Sequence, residues 1–191
     1  NIKDLSISVW VNITGVDDYD KIINKWFSPP DATFSLALKN PGQVRFSLYS
    51  TGTSAVDLNN IFEPIPTNVW THIVVTYDGD SISNNVKLYV NGVYNSTGTH
   101  EEGGALADSS TNVYIGSYSD TYYNPNGTID DLIVFNRTLS LEQVQLLYNS
   151  RNDIIASNET NIDDYWNVSV TPNDGYNDGT ATNSNNVTIL N

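Results

Sequence analysis

The sequence predicts an all-β fold, a two-layer antiparallel β-sandwich with one short helix close to residue 150. Short strand-like segments recur at near-regular spacing, and no long helical pattern interrupts them. Asn91-Gly92 lies between two β-rich runs, which is the strongest short-range signal for a hairpin. Residues 5–11 alternate with period two, as expected for a strand with one buried face. We therefore expect a sandwich over residues 1–150.

Further strands are predicted from shorter apolar and aromatic runs. Residues 40–43 (Asn-Pro-Gly-Gln) separate two of these runs and predict a hairpin, because Pro presets φ and Gly accepts a positive φ. Residues 50–68 are expected to form a polar loop, and residues 98–111 a Gly- and Ser-rich one. The strand-like segments are Leu5–Val11, Ile22–Trp26, Phe34–Leu38, Val44–Leu48, Trp70–Gly79, Val86–Tyr94, Tyr114–Ser117 and Gly127–Phe135.

One helix is predicted over residues 140–150. Ser140 is in the N-cap position and Gln143 follows three residues later, which is a capping box. Leu139 and Val144 occupy the positions of a hydrophobic staple. The predicted apolar stripe consists of Leu141, Val144, Leu147 and Tyr148.

Composition excludes several classes of function. The chain has 191 residues, eight basic residues and a formal net charge of −14. Nucleic-acid phosphates require clusters of Lys and Arg, and the basic residues here are scattered, so we expect no nucleic-acid partner. No run of 18 apolar residues occurs, so no membrane insertion is expected. There is no Cys, hence stability does not depend on disulfides.

Residues 151–191 form a different, additional β segment. From residue 152 onward there are six acidic residues and no basic residue. Ile154-Ile155, Tyr165–Val170 and Asn186–Leu190 predict three strands. Three strands cannot bury two faces, so the segment is expected to pack on something else.

The segments Trp70–Gly79, Val86–Tyr94, Tyr114–Ser117 and Gly127–Phe135, in this order, resemble the laminin-G-like and pentraxin-like branch of the concanavalin A-like lectin/glucanase superfamily. The resemblance covers residues 5–150 and implies a jelly-roll sandwich that presents a rigid surface to sugars or partner proteins. Similar domains carry a further strand ahead of Leu5. Because it is missing here, we expect an open sheet edge unless another segment fills the place.

The Trp166-x-x-x-Val170-Thr-Pro run resembles the final strands of immunoglobulin-like repeats in prokaryotic, especially archaeal, surface proteins. Residues 151–191 would then complete an immunoglobulin-like domain whose earlier strands precede Asn1, with the lectin-like unit as an insertion. This agrees with the absence of an initiator Met, which suggests excision from a longer chain. The alternative is strand donation to a neighbouring copy of the protein.

Catalysis is not expected. Retaining glycosidases of the superfamily resemble one another in a Glu-x-Asp-x-Glu strand motif, which places two carboxylates on one face, and none of the glutamates here has that spacing. Asp130 and Asp131 are neighbours on a strand and would face opposite ways. His72 is expected in the core and His100 in a loop without a partner. The glutamates are Glu63, Glu101, Glu102, Glu142 and Glu159.

Calcium is the one cofactor that the sequence suggests, since Ca²⁺ prefers carboxylate and carbonyl oxygens. The laminin-G-like resemblance implies Asp130, the first Asp of Gly-x-Ile-Asp-Asp, as a ligand, and Asp120 is a candidate second one. The alternative is that Asp130 accepts backbone hydrogen bonds and Asp131 is solvated. Surface charge is the preferred interpretation of residues 17–20 and 163–164.

Carbohydrate binding is predicted in the loop 117–127, because aromatic faces stack on sugars and amides or carboxylates bind hydroxyls. The candidates are Tyr118, Tyr122, Tyr123 and Asn124, with Asp120 nearby. The alternative is that some of these tyrosines only cover the end of the sandwich. By burial habit, core positions are favoured for the four tryptophans, Trp10, Trp26, Trp70 and Trp166.

Seven Asn-X-Ser/Thr sequons occur, where composition alone predicts about five, so they permit an extracellular location and glycosylation without requiring either. The predicted function is a non-catalytic extracellular adhesion module that binds carbohydrate or a surface protein, within a larger prokaryotic (archaeal) surface protein. The alternatives are a structural subunit of a cell-surface filament or layer assembled by strand exchange, and a glycosidase. The sequons are at Asn12, Asn95, Asn126, Asn136, Asn158, Asn167 and Asn186.

Overall fold

The computed structural model describes residues 2–17, 19–28, 31–50, 55–58, 64–118, 123–150, 156–172 and 175–190, with the side chains of 28, 55–58 and 158 excepted. The chain divides into two compact units, residues 1–151 and residues 152–191, which are treated separately below. The predicted strand at Ile154-Ile155 lies outside the described residues.

The first unit is an antiparallel β-sandwich, as predicted. Sheet A has the strand order β10-β1-β6-β7-β8, and sheet B the order β5-β4-β3-β2-β9. The strands are β1 (Leu5–Gly15), β2 (Asp20–Ser28), β3 (Asp31–Lys39), β4 (Gln43–Tyr49), β5 (Ala55–Leu58), β6 (Thr71–Tyr77), β7 (Val86–Val90), β8 (Val93–Gly98), β9 (Tyr114–Ile115) and β10 (Asn126–Phe135).

Alternate apolar side chains of the two sheets form one core. From β1 the residues Leu5, Ile7, Val9 and Val11 are at most 1% exposed, as the period-two pattern predicts. Sheet B contributes its own alternating set, so the residues between them face outward. Burial of each such aliphatic side chain contributes about 1.5–3 kcal/mol, which makes this core the main source of stability. The sheet B residues in the core include Ile23, Phe34, Leu36, Leu38, Val44, Phe46 and Leu48.

Both predicted hairpins are confirmed. Asn91 (φ 50°) and Gly92 (φ 75°) connect β7 to β8, and two positive φ values in a two-residue connection are the geometry of a type I′ turn. The turn between β3 and β4 contains Gly42 at φ 112°.

The predicted capping box is also present. Helix α1 (Leu141–Tyr148) begins after Ser140, whose hydroxyl accepts a hydrogen bond from the Gln143 amide, while Gln143 Oε1 accepts from the Ser140 amide. The staple residues Leu139 and Val144 pack in a second apolar cluster with Val74 and Tyr89, on the outer face of sheet A. One part of the stripe prediction is wrong: Leu141 is 44% exposed.

β10 ends sheet A, and it pairs with β1 alone among the described strands. Its register shifts between Ser8 and Trp10, where Asp131 has a positive φ of 46°. A bulge of this kind interrupts an edge strand and discourages its pairing with another chain.

The described residues of the second unit form two small antiparallel sheets, β11-β14 and β12-β13. Most of its described side chains are exposed, so these residues bury little apolar area of their own. Within the described ranges, no helix has the length and apolarity needed to cross a bilayer. Its elements are a 3₁₀ turn (Ser157–Glu159), β11 (Tyr165–Trp166), β12 (Ser169–Val170), β13 (Thr182–Asn183) and β14 (Val187–Thr188).

Candidate functional site

The outer face of sheet B is built from small polar residues at its centre. Asn24 on β2 pairs with Ser35 on β3, and Ser35 pairs with Ser47 on β4. All three are at most 6% exposed. Because their sheet neighbours point into the core, this row forms the floor of the outer face. Larger side chains surround it.

A cleft of about 570 Å³ lies at the β2–β9 edge of this face. Four of its eight lining residues are aromatic, and the others carry a carboxylate, an amide or hydroxyl groups. Lys25 holds the segment that carries the lining residues Ser110 and Thr111, since its ammonium donates to the carbonyl oxygens of Ser109 (2.6 Å) and Thr111 (2.9 Å). The lining residues are Trp26, Phe27, Asp31, Ser110, Thr111, Asn112, Tyr114 and Tyr118.

An aromatic row continues from this cleft across the face. Phe27 stacks on Tyr118 with ring centroids 6.4 Å apart, and the Tyr118 hydroxyl donates to the Phe27 carbonyl oxygen (2.9 Å). Tyr123 then meets Tyr118 edge-on at 5.9 Å and Tyr19 at 6.3 Å. Phe27 is 65% exposed and Tyr123 is 46% exposed, so the row presents large apolar surfaces to solvent.

Two cations lie beside the aromatic row. Lys21 Nζ is 5.9 Å from the Tyr118 ring centroid and 6.0 Å from that of Tyr19. The Arg45 guanidinium is 4.5 Å from the Tyr19 centroid. Burial, reinforced by the charge of Arg45, lowers the pKa of Lys21 to about 8. Burial also lowers the pKa of Arg45.

The structure brings together two of the four predicted sugar-binding residues, Tyr118 and Tyr123. Asn124 is exposed next to Tyr123. Tyr122, like the metal candidate Asp120, lies outside the described residues. Sequence reasoning missed Tyr19 and Phe27, which belong to other segments. The expected core positions of the tryptophans are wrong: none of the four is buried, Trp26 lines the cleft and Trp70 is 42% exposed.

Asp130, the other calcium candidate, is exposed on β10 opposite Trp10. Its Oδ1 accepts a hydrogen bond from the Asp131 amide (2.8 Å), which is the structural role considered as the alternative. The bulge interrupts the regular alternation of side chains along β10, so the prediction that Asp130 and Asp131 face opposite sides of the sheet does not apply here.

A different group of carboxylates converges elsewhere. Asp4, Asp78 and Asp80 have oxygens within 4.8 Å of one another, and this is the one such cluster in the described part of the chain. Asp4 already accepts from the Gly79 amide (3.0 Å) and Asp78 from the Asp80 amide (3.0 Å). The Lys3 ammonium also bonds to Asp80, so a cation is already present at this cluster.

His72 is 1% exposed and packs in a cluster with the Trp10 and Tyr148 rings, which also stack on each other, on the outer face of sheet A. Its Nε2 is 2.8 Å from Ser8 Oγ, and burial lowers the pKa of the ring to about 4. A neutral ring that packs and holds one hydrogen bond is a core histidine. His100 is fully buried as well, with its ring 5.9 Å from that of Tyr77.

The sequon asparagines Asn95, Asn126, Asn136, Asn167 and Asn186 are exposed, and Asn12 is half-buried on β1. Asn167 and Asn186 are joined by a side-chain hydrogen bond of 3.2 Å. The side chain of Asn158 is not among those described.

Residues 1–145 match the Laminin_G_3 family, described as the concanavalin A-like lectin/glucanases superfamily. The chain belongs to this family. The laminin-G-like resemblance, and the concanavalin A-like sandwich that it implied, are therefore confirmed. No curated protein matches this laminin-G-like chain in sequence.

Solved structures share the fold of the laminin-G-like unit at low identity. The CBM40 of the Ruminococcus gnavus IT-sialidase, bound to α2,3-sialyllactose, has a TM-score of 0.60 and 20% identity over 77% of this chain and 83% of that one. A SAP-like pentraxin from Limulus polyphemus has a TM-score of 0.58 and 19% identity over 77% and 70%. Domain 4 of AbnA, an extracellular arabinanase from Geobacillus stearothermophilus in complex with arabinotriose, has a TM-score of 0.57 and 23% identity over 76% and 66%.

Other similar structures are longer than this chain. The chain spans 38% of the receptor-binding domain of botulinum neurotoxin type G, at 18% identity and a TM-score of 0.59. These identities show the fold alone. The similar structures are mostly binding domains, and two of them belong to glycosidases, the IT-sialidase and the arabinanase AbnA.

Proposed function

We propose that the laminin-G-like unit is a non-catalytic carbohydrate-binding module whose ligand occupies the cleft at the β2–β9 edge of sheet B. The observation that carries this proposal is the combination of exposed aromatic faces, Phe27 above all, with hydrogen-bonding side chains in one cleft of about 570 Å³. Sugars need both, since their C–H faces stack on aromatic rings and their hydroxyls need polar partners.

The walls of the cleft are held in place before any ligand arrives. The Ser110 hydroxyl donates to Asp31 Oδ1 (3.3 Å) and the Thr111 hydroxyl to the Asp31 carbonyl oxygen (3.2 Å). The Lys25 bonds anchor the same segment from β2. A pre-ordered site loses little conformational entropy on binding, which favours recognition by a shallow cleft.

The wider biological setting belongs to the same proposal. We infer a place in a larger extracellular surface protein of a prokaryote, archaeal by the resemblance of residues 151–191, with glycosylated sequons and calcium as a stabilising ion. The exposed positions of five sequon asparagines agree with glycosylation. The sugar complexes of the CBM40 and of the arabinanase domain support the choice of a glycan over a protein ligand.

A glycan array followed by calorimetric titration of the best ligand tests the assignment. Phe27→Ala and Tyr118→Ala are expected to weaken binding by about fivefold to thirtyfold, because each removes a stacking face of about 1–2 kcal/mol. Tyr176→Ala, a control with the same loss of ring area in the second unit, should bind as the wild type does. Full binding by both cleft variants would place the ligand elsewhere.

A filament or layer subunit is the second candidate, favoured by the large exposed side chains of the second unit. Tyr165, Tyr176 and Leu190 are each at least 75% exposed. Strand exchange between copies would cover them. Light scattering over a range of protein concentrations tests this: growth of particles that is lost on deleting residues 152–191 would support the filament, and a constant monomer mass would exclude it.

A further inference from the structure

We propose that the ligand of the cleft is an acidic glycan, and that Lys21 binds its carboxylate or sulfate group with Arg45 adding to the positive potential. This inference rests on the carbohydrate-binding function proposed above and names the class of sugar.

The register of sheet B sets the two cations in one row. Lys21 on β2 pairs with Ala37 on β3, and Ala37 pairs with Arg45 on β4. All three belong to the outer face, because the core residues Leu36 and Leu38 flank Ala37. Ala37 lies between the two long cationic side chains and is 1% exposed. An anion bound at Lys21 would have Arg45 on the far side of Ala37.

Lys21 has no carboxylate partner among the described residues. It is 7% exposed, and its ammonium donates one hydrogen bond, to Ser35 Oγ at 3.2 Å. Its other contacts are the faces of Tyr19 and Tyr118. Buried charges are normally paired, so an ammonium with one hydroxyl and two rings retains donors for an anion. Its neighbour is also a cation, which makes the position costly for a purely structural role.

A second polar group on the same face lacks a partner. Asn24 is fully buried, and its Oδ1 has no hydrogen-bond partner in the described structure, although its Nδ2 donates to the Trp26 carbonyl oxygen (2.9 Å). Asn24 pairs with Ser35, the residue that holds Lys21. Buried polar atoms without partners are rare and call for water or a ligand. Hydroxyl groups of a sugar fit that need.

The two cations lie in a chain that is strongly negative as a whole. With a net charge of −14, the molecule repels an anionic glycan at long range. Two of only eight basic residues nevertheless lie in one row, next to the aromatic cleft. Tyr118 contacts both sites, since it lines the cleft and lies 5.9 Å from Lys21 Nζ. One oligosaccharide can therefore stack in the cleft and place an acidic substituent at Lys21.

Matched sugars that differ in charge alone test this proposal. Trigalacturonate is compared with galactotriose, its carboxyl-reduced counterpart, and 3′-sulfolactose with lactose, by calorimetric titration at low ionic strength. We expect one acidic member to bind at least tenfold more tightly than its neutral partner. The carboxylate pair and the sulfate pair separate the two sources of negative charge.

Variants of Lys21 then assign the preference. Lys21→Met should abolish the advantage of the acidic sugar over its neutral partner, while Lys21→Arg retains it. Lys87→Met, an exposed residue on β7, makes the same change of net charge outside the site. The affinity of the wild type for the acidic sugar should also fall as pH rises through 8. Among the described residues, the groups that face Lys21 are Arg45 from β4, Tyr19 before β2, Tyr118 after β9 and Ser35 from β3.

Failure of the inference is distinguishable from failure of the proposed function. Equal affinities within both pairs, or an acidic preference unchanged in Lys21→Met, would overturn the acidic-glycan inference while the cleft remained a sugar site. Binding that survives Phe27→Ala and Tyr118→Ala would overturn the cleft itself.

Discussion

At the scale of single residues, burial strongly lowers the pKa values of Lys21 and His72, whose surroundings differ. Lys21 keeps polar and aromatic neighbours next to an exposed cleft, whereas His72 packs against the rings of Trp10 and Tyr148. The same physical cause, loss of water around a charge, thus has a functional consequence in one place and a consequence for stability in the other.

The stability of the first unit should depend on pH through His72. Its pKa is about 4 in the folded state and near 6.5 in the unfolded chain, so the unfolded state binds the proton more readily. The free energy of unfolding should be highest above pH 6.5 and fall by up to about 3 kcal/mol as pH decreases from 6.5 to 4.

Urea unfolding at pH 7, 5.5 and 4 measures this effect. Because many carboxylates titrate in the same range, the comparison is with His72→Gln, which cannot gain a charge. The variant should lose less stability between pH 6.5 and 4 than the wild type. Identical slopes in the two proteins would show that His72 is not the cause.

Calcium remains a prediction at Asp130, with Asp120 as its suggested partner. If it binds there, saturating calcium at a hundredfold excess over Kd should raise the free energy of unfolding by about 2.7 kcal/mol. Asp130→Asn should lose this stabilisation, measured as a shift in melting temperature with and without calcium. Asp4→Asn is the matched comparison, and loss of the effect in that variant alone would move the site to the Asp4, Asp78 and Asp80 cluster.

At the scale of elements, local chemistry predicted turns and caps well. The type I′ turn follows from Asn91-Gly92 and the start of α1 from Ser140 and Gln143, because these features depend on residues only a few positions apart. The position of Lys21 could not be predicted in this way. Ile22 and Ile23 are both buried where β2 shifts register, and such a bulge changes which side chains face outward.

The tryptophans show the same limit. A core preference is a statement about average burial, and it does not say which layer a residue joins. Trp10 packs against His72 and Tyr148 on the outer face of sheet A, and Trp26 lines the cleft. Tyr19 and Phe27 were missed because the aromatic row joins two segments, residues 19–27 and 118–123, that are distant in sequence. Of the residues in the aromatic row, the loop 117–127 contains only Tyr118 and Tyr123, so a prediction limited to that loop could identify no others.

Helix α1 offers a test of its contact with sheet A. Val144→Ala removes a fully buried side chain and should lower the free energy of unfolding by about 2 kcal/mol. Leu141→Ala removes more atoms from an exposed position and should cost less than about 0.5 kcal/mol. Urea unfolding compares the two. Equal losses would mean that the helix packs through a different face.

At the scale of the whole molecule, the large apolar core lies entirely within residues 1–151. A protein that ends at residue 151 should therefore keep its fold and its affinity for the glycan, since a domain with its own core can fold alone. Near-UV circular dichroism and sugar titration check this. Loss of both signals on deleting residues 152–191 would instead favour the assembly by strand exchange, in which the second unit supports the first.

The central claim is that the aromatic cleft on sheet B binds sugar. Amide chemical-shift mapping during titration with the best array ligand tests it most directly. The account predicts saturable shifts concentrated at Phe27, Asn112, Tyr118 and Lys21. Shifts confined to sheet A or to the second unit, with the cleft unchanged at saturation, would contradict it.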